Sequence, residues 1–369
     1  MVIDQIHLYR VAMPLAYPFR TAFGDDDVIE SVLVRMESRG LHGWGESTSL
    51  KYPAYSPECA ASQFLISRDF IAPLLLGRDI ETGAALQEAL KKIKGNYFAK
   101  AGFDLAWWDL YSKTLGKPLW RTLGGVKPTV EAGADFGVME SVKALLDTIQ
   151  SAVDAGYRRV KLKFRPGWDL DMVRAVRERF PDLVFHIDCN SAYTLDDAPI
   201  FEQLDAFALA MIEQPLSHDD LVDHAALQRR LATPICLDES ITSLEKARKA
   251  IELGACRWVN IKPGRVGGLT NARAIHDFCK NAGVPCWTGG MLESAVGAGH
   301  CLAFATLPNN RYPSDIFPSS RFYKTDLGVP PMMHSGPSQF IARDVPGVGF
   351  APDSGMLAEM TLETASVRA

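Results

Sequence analysis

The chain has 369 residues, 47% of them hydrophobic and 22% charged, with a net charge of −5 at pH 7. This is ordinary globular composition in a length too great for one small core, so a large domain with a smaller companion is expected. The acidic balance gives no electrostatic reason to expect nucleic acid or an anionic membrane as partner. No apolar run is long enough to span a bilayer. The start, Met1-Val2-Ile3-Asp4-Gln5, lacks the regions of a signal peptide. Seven scattered cysteines without a Cys-x-x-Cys pair suit free thiols in a reducing cytoplasm.

In chain order, 31–36 reads as an antiparallel strand, followed by helical stretches around 58–71 and 99–114. From Thr129 a short β-like run, a turn and an amphipathic helix recur. The runs are 130–137, 159–164, 183–190, 209–215, 234–239, 258–263 and 285–290. Helices are expected at 169–180, 221–231, 244–253 and 271–282. Strand–helix alternation with right-handed crossovers implies a parallel sheet, and seven successive units favour closure into a (β/α) barrel. An eighth strand near 311–316 is weakly written, so irregularity is expected there. The tail from about Phe322 is expected to return to the N-terminal part.

Five charged residues fall near the C-terminal ends of these runs. Lys163, Asp188, Glu213, Asp238 and Lys262 are separated by 25, 25, 25 and 24 positions. That interval is the length of one strand–helix unit, so the five occupy equivalent places at the barrel end that carries chemistry. Taken singly, a strand-end carboxylate such as Asp238 is what a helix cap or loop hydrogen bond requires; five in register are not. Lys161 and Lys163, and Asp188 and Asn190, lie two apart and share a strand face. Counted from the first run, Lys163 and Lys262 stand four strands apart, on opposite walls, with three carboxylates between them. Oxygen donors without His or Cys suit a hard cation, Mg²⁺ or Mn²⁺. A carboxylate substrate on that cation would present its α-carbon between two lysines. Proton removal there yields an enediolate whose charge a cation spreads. Lysine serves as base if neighbouring positive charge lowers its pKa, a role assigned to Lys161 beside Lys163.

At these residues the chain resembles the muconate-lactonizing branch of the enolase superfamily, and within it the o-succinylbenzoate synthase and N-acylamino acid racemase family. The stretches that carry the resemblance are Val160-Lys161-Leu162-Lys163, Ile187-Asp188-Cys189-Asn190, Ile212-Glu213-Gln214-Pro215, Leu237-Asp238-Glu239-Ser240 and Asn260-Ile261-Lys262. Phe19-Arg20-Thr21-Ala22-Phe23-Gly24, Asn190-Ser191-Ala192-Tyr193-Thr194-Leu195, Arg265-Val266-Gly267-Gly268 and Gly289-Gly290-Met291-Leu292-Glu293-Ser294 extend it over almost the whole chain. The resemblance implies an α/β protein, a modified TIM barrel (β/α)7β with an N-terminal α+β capping domain. Its division would be 1–125 for the cap, 126–320 for the barrel and 321–369 for a segment packing back on the cap. It implies Asp188, Glu213 and Asp238 as ligands of Mg²⁺, with Mn²⁺ as substitute, and Lys163 and Lys262 as acid/base groups. Lys161, Asn190 and Glu239 would support them. Phe19 and Phe23 with Tyr52 and Tyr55 would close an apolar lid. Gly289 and Gly290, with Met291 and Leu292, would line the substrate, the glycines offering backbone N–H groups. Asp135 stands where relatives carry a serine, and an unpaired carboxylate there would repel an anionic substrate. A small-molecule carboxylate substrate and a homo-oligomer are the partners implied.

The leading activity is dehydration of the o-succinylbenzoate synthase type, in menaquinone synthesis, with N-acylamino acid racemization on the same frame. N-succinylamino acid racemase proper, dipeptide epimerase and muconate cycloisomerase are the alternatives. Against the epimerase, the region around the eighth strand, Pro313-Ser314-Asp315-Ile316-Phe317, has one acid where an Asp-x-Asp pair would hold an ammonium. Against mandelate-racemase chemistry, Lys262 stands where a His base would. A non-catalytic metal-binding barrel would be expected to have lost its lysines. Asn190 has an alternative as a turn former, and Glu239 as a structural partner of Lys262 or Arg265. His218 and His224 are expected at the surface.

Overall fold

The computed structural model describes residues 1–21 and 24–368, with the side chains of 19–26 outside the description. Near the start, β1 (Gln5–Thr21), β2 (Gly24–Ser38) and β3 (Leu41–Ser47) form an antiparallel meander. The chain's last strand, Thr361–Arg368, joins it alongside β1, so the end of the chain completes the first sheet. The helix Tyr97–Thr114 packs on this sheet and is buried nearly all round. Its approach to β3 is backbone against backbone. A Cβ at Gly43 would overlap the carbonyl of Ala106, and one at Gly45 that of Gly102, so only glycine lets the strand lie so close. The helix N-terminus is closed from a distance: both carboxylate oxygens of Glu58 accept the amides of Phe98 and Ala99, at 3.0 Å each.

The second sheet is wholly parallel. After a short strand β4 (Thr129–Glu131), which pairs with Gln339–Ile341, come β5 (Ala134–Phe136), β6 (Arg159–Lys163), β7 (Val184–Asp188), β8 (Ile212–Glu213), β9 (Ile235–Leu237), β10 (Trp258–Ile261) and β11 (Cys286–Thr288). Strands β5 to β11 are adjacent in chain order. The run expected over 130–137 is thus two strands with different partners. Helices Leu170–Arg179, Val222–Arg230, Leu244–Leu253 and Leu269–Asn281 lie within a few residues of their expected bounds. The ring closes through the stretch 309–315, which forms no ladder of its own. Arg311 N donates to Cys286 O and Asp315 N to Thr288 O, while Gly133 N donates to Ser314 O and Ser314 N to Glu131 O. Pro313 lacks an amide in the middle of this stretch, which explains why the eighth strand is irregular.

Alternation along the strands separates two interiors. Val160, Leu162, Phe185, Ile187, Ile235, Leu237, Val259 and Ile261 belong to the main core around the barrel. Inside the ring, a separate small cluster of Met211, Cys236 and Trp287 is packed by Trp258 and Tyr312. Their neighbours two residues further along, Glu213, Asp238 and Gly289, stand nearer the C-terminal mouth. Among the described residues, no helix is long and apolar enough to cross a membrane.

Cap and barrel are joined by a buried carboxylate. Glu46, at the end of β3, accepts the amides of Ser294 and Gly297 at 3.0 and 2.9 Å and the Ser294 hydroxyl. It therefore caps the barrel helix Ala295–Ala305. Burial outweighs these hydrogen bonds and pushes its pKa up to about 7. The folded protein thus holds this proton where the unfolded chain has released it. Its ionisation penalises folding above pH 7 and not below the ordinary carboxyl range. Glu46→Gln should consequently lose more stability, relative to wild type, at pH 5 than at pH 8. Denaturant unfolding at the two pH values checks this, and a pH-independent difference would contradict it.

Candidate active site

The five charged residues spaced along the sequence meet at the barrel mouth. Lys163 and Asp188 are direct register partners on β6 and β7, as are Asp188 and Glu213 on β7 and β8. Lys163 Nζ donates to Asp188 Oδ2 at 2.7 Å and to Asn190 Oδ1. On the other wall, Lys262 Nζ donates to Asp238 Oδ2 at 2.9 Å, and Arg265 Nη1 pairs with the second oxygen of Asp238. Burial opposes ionisation of Asp238, yet Arg265 and Lys262 overcome it and bring the carboxyl to about 2. Burial would lower Lys262, but the surrounding groups, Asp238 foremost, together outweigh it and raise this lysine well above its ordinary value.

Glu213 differs from both neighbours. Fully buried, it accepts from Asn260 Nδ2 at 2.7 Å through Oε1, and His186 Nε2 lies 3.3 Å from Oε2. No lysine or arginine among the described residues is paired with it. Burial, then the charge of Asp188, raises its pKa well above the carboxylate range. His186 is wholly enclosed, and burial followed by Arg159 and Lys161 drives its pKa far down, so the ring is neutral.

Lys161 and Asp135 answer each other. Lys161 Nζ lies 2.9 Å from Asp135 Oδ2 and also pairs with Asp315 Oδ2. Arg159 reaches Asp135 Oδ1 at 2.9 Å and Asp315 Oδ1 at 2.7 Å, completing a neutral quartet. Gly133 makes room for it, since a Cβ there would fall inside the Arg159 guanidinium. Lys161 is thus a paired wall residue rather than a bare charge beside Lys163. Asp135 is the unpaired repeller of the sequence reading turned into a compensated one.

Asn190 both turns the chain and bonds to residues of the site. Its backbone turns at a φ of 43°, and its side chain links Lys163 to Glu239, Nδ2 donating to Oε1 at 3.0 Å. Glu239 accordingly pairs with Asn190, and neither Lys262 nor Arg265 is its hydrogen-bond partner. Burial, followed by repulsion from Asp238 and Asp188, lifts its pKa to about 8, and Oε2 is buried without a partner. Tyr55 points its hydroxyl into the site, accepting from Lys262 and Arg265 at 3.1 Å each and donating to Asp238 at 3.2 Å. Tyr52, by contrast, is 71% exposed, so it closes nothing here. Phe23 lies outside the described residues, and of Phe19 only the backbone is described. Gly289 is needed because its Cβ would strike Asn260 and the Lys262 stem, and its amide is spent on Ile261 O. A Cβ at Gly290 would overlap the Asp315 carbonyl. The Met291 amide is likewise taken, by Glu293 at 2.7 Å, while Leu292, at a φ of 62°, lines a small cavity with Phe317 and Tyr323. His218 is exposed as expected; His224 is not. It is buried, bonded to Asp220 and to the Leu216 amide, because the turn before its helix folds over it.

Arg159, His186 and Asn260 escaped the sequence reading, although a signal existed. Each lies on the inner face of its strand, two or four residues before a mouth residue. Arg265 sits in the loop after β10, where strand alternation gives no clue. As a donor set, Asp188, Glu213 and Asp238 offer oxygen only, which fits a hard divalent cation, and the partnerless Glu239 oxygen adds acceptor capacity nearby. Among the described residues no three acidic, His or Cys side chains stand gathered as a cation cage, Asp188 and Asp238 being turned toward their cationic partners.

The molecule is similar to known proteins throughout. Residues 4–124 match the mandelate racemase / muconate lactonizing enzyme N-terminal domain, and residues 144–356 the enolase C-terminal domain-like family. An o-succinylbenzoate synthase of Geobacillus kaustophilus is 45% identical over 361 residues, 97% of this chain and 96% of the relative. An N-succinylamino acid racemase of an Amycolatopsis species is 43% identical over 362 residues, 98% of each. A solved enolase-superfamily protein from Listeria innocua superposes with a TM-score of 0.96 at 36% identity, covering 100% of this chain and 99% of the other. With both halves of the fold matched and the mouth residues in register, the chain belongs to the mandelate racemase / muconate lactonizing enzyme family of the enolase superfamily.

Proposed function

We propose that the protein is an o-succinylbenzoate synthase that also racemizes N-acylamino acids. The observation that carries this is the pair of lysines, Lys163 and Lys262, on strands four apart, with Asp188, Glu213 and Asp238 between them. Asp188, Glu213 and Asp238 would hold Mg²⁺, or Mn²⁺ in its place. The bound cation supplies a Lewis acid for a substrate carboxylate and spreads the charge of the enediolate. In dehydration, one lysine in its neutral form takes the α-proton and returns it to the departing β-hydroxyl, so that water leaves. The other lysine remains an ammonium and faces the developing negative charge. In racemization the two exchange roles, one removing the proton from one face and the other delivering a proton to the opposite face. Asn190 holds Lys163 to Glu239, and Tyr55 holds Lys262 and Asp238 together, which keeps both amines aimed at the mouth. In the proposed organisation, a cap over 1–125 and a segment over 321–369 enclose a barrel over 126–320, in a cytoplasmic homo-oligomer acting on a small carboxylate.

A dipeptide epimerase is the weaker reading. The L-Ala-D/L-Glu epimerase of Bacillus subtilis is 28% identical over 359 residues. Here both oxygens of Asp315 are engaged by Arg159 and Lys161, which leaves that carboxylate no lone partner for a substrate ammonium. Dehydration assays beside racemization assays with N-succinyl amino acids test the proposal, and absence of dehydration removes the synthase activity.

Glu213→Gln should weaken metal binding and abolish turnover at ordinary Mg²⁺ concentration; retained activity would reject the ligand assignment. Lys163→Ala and Lys262→Ala should each lower racemization by about 10²–10⁴-fold or more, the usual contribution of a general acid or base. In deuterium oxide, each variant should still exchange the α-proton of one enantiomer, and the two variants should prefer opposite enantiomers. Wild-type exchange of both enantiomers by both variants would exclude the two-lysine mechanism. Asp135→Ser leaves Arg159 and Lys161 sharing a single carboxylate. KM should then fall for substrates with an anionic acyl tail relative to neutral ones, with the reaction class unchanged. An unaltered substrate profile would show that Asp135 does not act on specificity.

A further inference from the structure

Beneath the mouth, the polar side chains inside the barrel form a second layer with its own connectivity. Tyr312, on the closing stretch, has its hydroxyl 3.1 Å from His186 Nδ1, and His186 Nε2 lies 3.3 Å from Glu213 Oε2. The imidazole is wedged edge-on between two rings, 5.5 Å from Trp287 and 5.4 Å from Tyr312 by centroid. Arg159 also lies over those same two rings, at 5.5 and 5.4 Å from their centroids. Little freedom is left for the His186 ring to rotate.

Chemistry orders the hydrogens. A carboxylate that binds a cation is ionised and only accepts, so Nε2 would then carry the hydrogen given to Glu213 and Nδ1 would accept from the Tyr312 hydroxyl. Asn260 Nδ2 supplies the matching donor to Oε1 at 2.7 Å. Both Glu213 oxygens are therefore held from below by neutral donors. Asp188 and Asp238 are held by cations, which cancel charge as they orient. Neutral donors fix direction and leave the negative charge to act upward.

We propose that Tyr312 and His186 are positioning residues for Glu213: a relay Tyr312 O–H to Nδ1, Nε2–H to Oε2, that aims this carboxylate at a divalent cation. This rests on the reading of Glu213 as a cation ligand. Outer groups that orient a ligand typically change metal affinity by about 10–100-fold when removed.

Mn²⁺ binding by calorimetry on the full-length chain tests the relay. Wild type should bind, Glu213→Gln should not, and His186→Leu should bind about 10–100-fold more weakly. His186→Gln restores an N–H donor and should recover most of the affinity, which a purely space-filling role would not predict. Where His186→Leu does not fold, Tyr312→Phe decides. It keeps the packing and removes one neutral hydrogen bond, and should weaken Mn²⁺ binding about two- to tenfold. Independently, ¹⁵N-histidine spectra should show His186 with hydrogen on Nε2. Absence of Mn²⁺ binding by wild type would refute the cation reading and this inference with it. Loss of binding in Glu213→Gln beside wild-type affinity in folded His186→Leu or Tyr312→Phe, or hydrogen on Nδ1, would refute the relay alone.

Discussion

Charge taken out of water has to be answered, and inside this barrel the groups that stand near enough to answer it are mostly other side chains. The interior of this protein is organised by that requirement. Lys163 answers Asp188, Lys262 and Arg265 answer Asp238, and Arg159 with Lys161 answers Asp135 with Asp315. Each pairing joins residues from different units of the ring, so compensation of charge and closure of the ring are one arrangement. The eighth stretch has too few backbone bonds to form a ladder, yet Asp315 ties it to β6 through two ion pairs. Glu213 is the exception, oriented by an amide and an imidazole instead.

The cap is attached on the same principle. Glu46 crosses from the first sheet to the N-terminus of a barrel helix, and Tyr55 reaches from the loop after β3 to Lys262, Arg265 and Asp238. One link is structural and the other enters the site. A shift of the cap would therefore disturb the Lys262 wall directly, while Lys163, 31% exposed and bonded among the described residues to Asp188 and Asn190, would feel it less. The two lysines are chemically alike but held in unlike surroundings. Asymmetry of that kind suits a site where one amine moves a proton and the other stabilises charge. Opposed placement suits a site where both do.

Much of this was legible in the residues. The 24- to 25-residue interval between charged strand ends is a direct record of the barrel's unit length, and it alone places five groups at one mouth. The two-residue spacing of Lys161 with Lys163, and of Asp188 with Asn190, gave the shared face. Strand type and approximate helix bounds followed from periodicity, because alternation and helical repeat are properties of local sequence.

Which partner each charge takes was decided by the tertiary structure alone. Lys161 is as close in sequence to Lys163 as a strand neighbour can be, yet its partners are Asp135 and Asp315, one of them 154 residues away. His224, expected at the surface, is buried by a turn whose path no periodicity records. Arg265 enters the site from a loop, and His186 joins Glu213 to Tyr312 across the ring. The reason is physical. Sequence spacing determines which way a side chain points from its own strand, whereas pairing depends on distances across the barrel, and those exist only once the ring has closed.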